Sequence, residues 1–128
     1  MDLRSRLWST LCRIDGADEG SSVFSDDDAA PALWVDGTQV AHFRAADVLE
    51  VRLTKPRIRA ERARLSADPR VVLRKNASDW LQVRFTRAAD IAFLRELVEA
   101  AVEAHRPRDR MPRPPPTGAE LARRKRFH

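Results

Sequence analysis

Two arginines stand at the same position of two nearly identical stretches of the sequence. Arg52 lies in LEVRLT, residues 49–54, and Arg84 lies in LQVRFT, residues 81–86. Both stretches alternate apolar and polar residues, as a strand with one buried face does, so both guanidinium groups are predicted on the polar face of one sheet. An arginine fork suits a carboxylate or a phosphate, which makes this pair a candidate anion site.

Four more side chains could complete such a site if the sheet brings them together. Arg74 would add a guanidinium group, Trp34 and Trp80 would supply flat apolar surfaces, and His42 could act as an acid or base. In a plainer interpretation each arginine only pairs with a nearby carboxylate on a solvated face, that of Glu50, Asp47 or Asp79.

The remaining chemistry-bearing residues do not specify a reaction. A catalytic triad would join His42 to Ser78, but no nucleophile-elbow motif surrounds that serine, so a structural histidine is the plainer interpretation. Three histidines and one cysteine without ligand spacing predict no metal, and the Asp26-Asp27-Asp28 run lacks the pattern of a calcium loop. With four glycines and no phosphate-binding loop, no cofactor is predicted.

Basic residues outside the sheet favour a second hypothesis, nonspecific binding of nucleic acid. The net charge is +5, but residues 106–128 hold eight basic and two acidic residues, which leaves the rest of the chain at −1. Phosphate contacts would come from one helix and from the tail, through Arg57, Arg59, Arg62, Arg64, Arg123, Arg124, Lys125 and Arg126. The helix has a plainer interpretation too, an exposed surface on which Arg57 and Arg64 pair with Glu61.

The elements that must position these residues follow from hydrophobic periodicity. Helices are predicted at 2–14, from 55 to the Asp68-Pro69 pair, and at 87–105, with Thr54 and Thr86 as N-caps. A hairpin about Asp36-Gly37 is predicted over 32–43, a third strand over 47–53 and a second hairpin over 70–85, whereas 15–30 is predicted as a loop. In a regular hairpin His42 shares the face of Leu33 and Val35, opposite Trp34.

These elements predict one α+β domain over residues 1–105. Its sheet is mostly antiparallel, has about five strands and packs against helices from both ends of the chain. Residues 106–116 hold five of the eight prolines, so 106–128 are predicted as a basic tail that is disordered or partly helical and adds little stability.

The sequence also bears on the compartment. No apolar run approaches the roughly 20 residues that span a bilayer, and the first residues lack the apolar segment of a signal peptide. Cys12, a lone cysteine, cannot form an internal disulfide and is predicted as a buried thiol. A cytoplasmic protein without a membrane partner is therefore expected.

Three segments of the chain form a recognisable series: W-V-x-G-x-x-x-A-H at 34–42, the strand that ends in Arg52-Leu53, and S-D-W-hydrophobic-x-V-R at 78–84. In their order and spacing they resemble the small bacterial and fungal "luciferase domain" family. The likeness covers most of residues 3–106, and the order of elements is also similar to that of the MmcQ/YjbR-like proteins. The family is largely uncharacterised, and its name implies no light-emitting reaction. Where relatives read A-H-x-H, this chain has Arg44 in place of the second histidine.

The resemblance and the residues together predict a small non-catalytic binding module. Its expected partner is an unknown anionic small molecule or a protein. Nucleic-acid binding through the tail, and an enzyme that acts on a small anionic molecule through His42, are the alternatives.

Overall fold

In the computed structural model the described residues, 1–24, 30–107 and 113–126, form an α+β fold with one antiparallel sheet. The fold class agrees with the sequence-based prediction, although the sheet has six strands rather than about five. The strands are β1 (Asp18–Ser21), β2 (Pro31–Val35), β3 (Thr38–Ala45), β4 (Val48–Arg52), β5 (Val71–Leu73) and β6 (Trp80–Arg84). The helices are α1 (Leu3–Cys12), α2 (Lys55–Ala60), α3 (Arg62–Ala67), α4 (Ala89–His105) and α5 (Gly118–Lys125).

The strand order is β1-β2-β3-β4-β6-β5, so β1 and β5 form the two edges of the sheet. β1 lies in a segment that was predicted as a loop. Its sequence, DEGS, has no apolar alternation, and it is a strand because its backbone pairs with β2, Asp18 opposite Trp34 and Ser21 opposite Pro31. The Asp26-Asp27-Asp28 run, considered above for calcium, lies outside the described residues.

One face of the sheet carries the hydrophobic core. Leu49 and Val51 of β4 and Leu81 and Val83 of β6 are all fully buried there, as the alternation of both strands predicts. α1 and α4 cover this face with leucines and valines at helical spacing, from α1 Leu7 and Leu11 and from α4 Leu94, Leu97, Val98 and Val102.

The basic segment after β4 forms two short helices rather than the single helix predicted. Glu61, with φ of −108°, ends α2 and separates it from α3. Thr54 does not cap the segment through its side chain, because its backbone has φ of +86°. The N–H of Lys55 instead donates to Asp79 Oδ1 at 2.9 Å, which ties the start of α2 to the start of β6.

Asp90, not Thr86, satisfies the start of α4. Its buried carboxylate accepts from the N–H of Thr86 at 2.8 Å and from the N–H of Arg87 at 3.0 Å, and Arg70 Nη1 donates to it at 3.0 Å. Burial alone would raise the pKa of Asp90, but these hydrogen bonds lower it below its ordinary value.

α5 packs against the sheet face opposite the core. Leu121 is only 9% exposed and joins Val23, Ala32 and Trp34 in a second buried cluster. Arg124 Nη1 donates to the carbonyl oxygen of Gly37 at 3.2 Å, which fixes the helix beside the β2–β3 turn.

Candidate functional site

An irregularity in the first hairpin decides which way His42 points. The turn is as predicted: Val35 opposes Thr38, and Asp36 and Gly37 both have positive φ, 52° and 75°, as a type I′ turn requires. The register then shifts between Leu33 and Trp34, so that Leu33 opposes Ala41 and Ala32 opposes His42.

The predicted orientation of His42 is therefore wrong. β3 has one extra residue at this point, so the side chains beyond it point to the opposite face of the sheet. The apolar residues of the sequence give no sign of this irregularity. His42 shares a face with Trp34, Glu50 and Gln82 and lies opposite the core. This surface, opposite the core, is called the open face below.

Arg52 and Arg84 both lie on the open face, as predicted from the repeated phrase. β4 and β6 are neighbours, with Arg52 opposite Trp80 and Arg84 opposite Val48. Because these strands are antiparallel, the two arginines stand at opposite ends of the pair, four residues or about 13 Å apart along the strands.

Each of these arginines has its own carboxylate. Arg52 Nη2 lies 3.6 Å from Asp79 Oδ2, and Arg84 Nε lies 3.7 Å from Asp47 Oδ2 at an exposed corner. Because they lie about 13 Å apart along the strands and each has a carboxylate partner, Arg52 and Arg84 do not bind one small ligand together.

A cluster of rings surrounds His42. The centroid of its ring lies 5.3 Å from that of Phe24 and 5.4 Å from that of Trp80, and Phe24 and Trp80 are 5.5 Å apart. His42 is 6% exposed. Burial lowers the pKa of His42 below its ordinary value, against the opposing effect of the Glu50 carboxylate.

Glu50 is a buried carboxylate, 4% exposed, beneath three basic side chains. Arg74 Nη2 donates to its Oε2 at 2.8 Å, while Arg44 Nε and His42 Nε2 each lie 3.7 Å from its Oε1. Arg74 is thus the close partner of Glu50, and its own side chain is half exposed.

Arg74 also lines a cleft between the two short helices and the β5–β6 connection. The cleft encloses about 240 Å³. Its walls include Ile58, Leu73, Asn76, Ala77, Ser78 and Trp80 together with five basic residues, Lys55, Arg59, Arg62, Arg74 and Lys75. We call this the cationic cleft. None of its described lining residues is acidic.

The structure brings four of the six predicted site residues into one connected group. Arg74 and Trp80 line the cationic cleft, His42 contacts Trp80, and the Arg52 guanidinium lies 5.8 Å from the Trp80 ring centroid. The other two lie apart. Arg84 is at the far end of β6, and Trp34 is buried beneath α5, where Arg124 lies 5.7 Å from its ring centroid.

The basic residues proposed for nucleic acid separate into three groups. Arg57 and Arg64 each lie 2.7 Å from Glu61, so the plainer interpretation holds for them. Arg59 and Arg62 line the cationic cleft. In the tail, Arg123 and Arg126 are exposed, whereas Arg124 and Lys125 are partly buried.

Lys55 and Lys75 were not predicted as site residues. Each follows a strand, β4 and β5, and both strands run antiparallel to β6. β4 and β5 therefore run in the same direction, and their C-terminal ends lie side by side at one end of the sheet. This places the two lysines in one cleft. The proximity of Lys55 and Lys75 follows from the strand order, and no sequence motif predicts it.

The described residues contain no group of three or more His, Cys, Asp or Glu side chains placed to hold a metal ion. Among the helices described here, none has the length and apolar character needed to cross a membrane. In comparisons with known proteins, no family model, no curated protein and no solved structure matches this chain.

Proposed function

We propose that this chain is a small non-catalytic module that binds an anionic ligand in the cationic cleft. One observation carries the proposal: five basic residues and no described acidic residue line a single concave site. A concave surface of one sign concentrates ions of the opposite sign, and arginine forks bind carboxylate and phosphate oxygens in pairs.

A binding role is favoured over catalysis by the surroundings of His42. Its ring is packed between Phe24 and Trp80, and His42 is not part of the cleft lining. A general acid or base has to reach the reacting group, and His42 does not reach the cleft, so this histidine acts by packing against Phe24 and Trp80.

Family and compartment are part of the same proposal. The three segments at 34–42, 52–53 and 78–84 support membership of the luciferase-domain family, with the cleft as its ligand site in this chain. A lone cysteine, Cys12, supports a cytoplasmic location, because chains that fold in oxidising compartments commonly carry paired cysteines.

Binding of nucleic acid through the tail is the second candidate function. It is favoured by the exposure of Arg123 and Arg126 on and just after α5. If the tail makes the phosphate contacts, Arg123→Gln with Arg126→Gln should flatten the salt dependence of binding to single-stranded DNA by a slope of about 1.4. An unchanged slope would place those contacts elsewhere.

A pair of double variants tests the principal proposal. In calorimetric titrations with inorganic pyrophosphate, Arg59→Gln with Arg62→Gln should weaken binding by about tenfold or more, because both guanidinium groups line the cleft. The matched control, Arg57→Gln with Arg64→Gln, removes the same charge from the same two helices but outside the cleft. Equal losses in the two double variants would contradict the proposal.

A further inference from the structure

The charge balance of the cationic cleft narrows the class of ligand. Arg74 is compensated by Glu50 at 2.8 Å. The cleft has four other basic residues, Lys55, Arg59, Arg62 and Lys75. Within the described part of the chain, no carboxylate lies within 4.0 Å of their charged nitrogens. A ligand with one negative charge would leave most of this positive charge unbalanced.

The size of the cleft limits the ligand as well. Its volume of about 240 Å³ is below the range of roughly 300–1,000 Å³ found for sites that enclose a drug-sized molecule. The occupant is therefore compact and multiply charged, or it is the compact charged end of a larger molecule that remains outside.

The donors in the cleft suit phosphate oxygens better than a single carboxylate. Arg59 and Arg62 each offer a planar fork, and Lys55 and Lys75 are mobile point charges of the kind that bind phosphate. Ser78 adds a hydroxyl. Its oxygen already accepts from the N–H of Trp80 at 3.1 Å, so the hydroxyl proton remains free to donate into the cleft.

From these observations we infer that the cationic cleft binds an oligophosphate, a chain of two or three phosphates, either free or as the charged end of a nucleoside di- or triphosphate. The inference rests on the proposed function of the cleft. Each phosphate brings about one to two negative charges and several acceptor oxygens, so two or three of them match four uncompensated basic residues.

The experiment is a titration series on the full chain with inorganic phosphate, pyrophosphate, tripolyphosphate and citrate. Affinity should rise by about tenfold from phosphate to pyrophosphate and again to tripolyphosphate, because each added unit engages further donors. Citrate, a compact tricarboxylate, should bind at least about tenfold more weakly than tripolyphosphate. A nucleoside triphosphate in the same series separates the sources: affinity above that of tripolyphosphate indicates the nucleotide, and equal or lower affinity indicates the free oligophosphate.

The Arg59→Gln, Arg62→Gln variant is carried through the same series. It should lose most of the dependence on phosphate number, while the Arg57→Gln, Arg64→Gln control keeps it. Binding of all four anions with equal affinity, reduced only in the cleft variant, would overturn the oligophosphate inference and leave anion binding standing. Binding that is insensitive to the cleft variant, or no binding of any anion, would overturn both.

Discussion

Arg74 Nη2 and Glu50 Oε2 lie 2.8 Å apart, and this contact joins the buried part of the open face to the cationic cleft. Glu50 is buried beside His42, and Arg74 lines the cleft. The carboxylate therefore holds the guanidinium group and at the same time competes with any anion for it.

Glu50→Gln separates these two effects. The substitution keeps the shape of the side chain and removes the negative charge nearest to Arg74, so pyrophosphate should bind about three- to tenfold more tightly. Calorimetry on the variant measures this, with Asp47→Asn, which removes a charge beside Arg84 at the far end of β6, as the matched control. Weaker binding would show that Glu50 acts mainly by positioning Arg74.

His42 should make folding stability depend on pH. Burial holds its pKa below the ordinary value of about 6.5, so the unfolded chain binds this proton more tightly than the folded chain does. The stability that comes from the neutral ring is complete above about pH 6.5 and is lost as the pH falls below it toward the folded pKa. Urea midpoints between about pH 7 and 5 should fall less in His42→Gln than in the wild type.

A substitution at another histidine is the control for this pH dependence. His105→Gln removes a histidine at the end of α4, remote from the open face, and should leave the wild-type fall in place. If His42→Gln shows the same fall as the wild type and the control, the pH dependence does not come from His42.

Two adjacent residues of β6 differ in burial, so alanine substitutions at them should differ in their effect on the free energy of unfolding. Leu81 is fully buried in the core, so Leu81→Ala should lower the free energy of unfolding by about 2–4 kcal/mol. Gln82 lies on the open face and is partly exposed, and Gln82→Ala should change the free energy of unfolding by less than about 1 kcal/mol. Urea unfolding measures both, and equal losses would mean that the faces of this strand are reversed.

The contact of Leu121 with the sheet revises the expectation that the tail adds little stability. Leu121→Ala should release α5 and expose Trp34, whose indole N–H donates to the carbonyl oxygen of Ser21 at 3.2 Å. Hydrogen exchange of that indole proton should become faster. The loss in unfolding free energy should stay below the about 2–5 kcal/mol of a core leucine, because α5 can detach without opening the sheet.

Glu120→Ala, an exposed change in the same helix, is the control for this measurement and should leave the indole exchange rate unchanged. If Leu121→Ala leaves it unchanged as well, α5 does not protect Trp34.

The repeated phrase predicted the strands of Arg52 and Arg84, their shared face and the residues beneath them, because alternation is a local property. Alternation did not predict the orientation of His42 or the lysines of the cationic cleft. His42 was assigned to the wrong face because one irregular residue pair reverses the alternation. Lys55 and Lys75 meet only through the strand order, and Asp79 reaches Lys55 across 24 positions of sequence. Such long-range relations leave no periodic signal in the chain.

The three tryptophans allow the central claim, anion binding in the cationic cleft, to be tested in one spectrum. Trp80 lines the cleft, Trp34 lies beneath α5, and Trp8 of α1 donates through its indole to Glu19. In ¹H–¹⁵N spectra of the full chain titrated with pyrophosphate, the indole signal of Trp80 should shift, together with the amide signals of Lys55, 57–62 and 74–78. The signals of Trp8 and Trp34 should stay in place. A titration that moves Trp34 and the amides of 118–125 while Trp80 stays unchanged would contradict the account and place the anion on the tail.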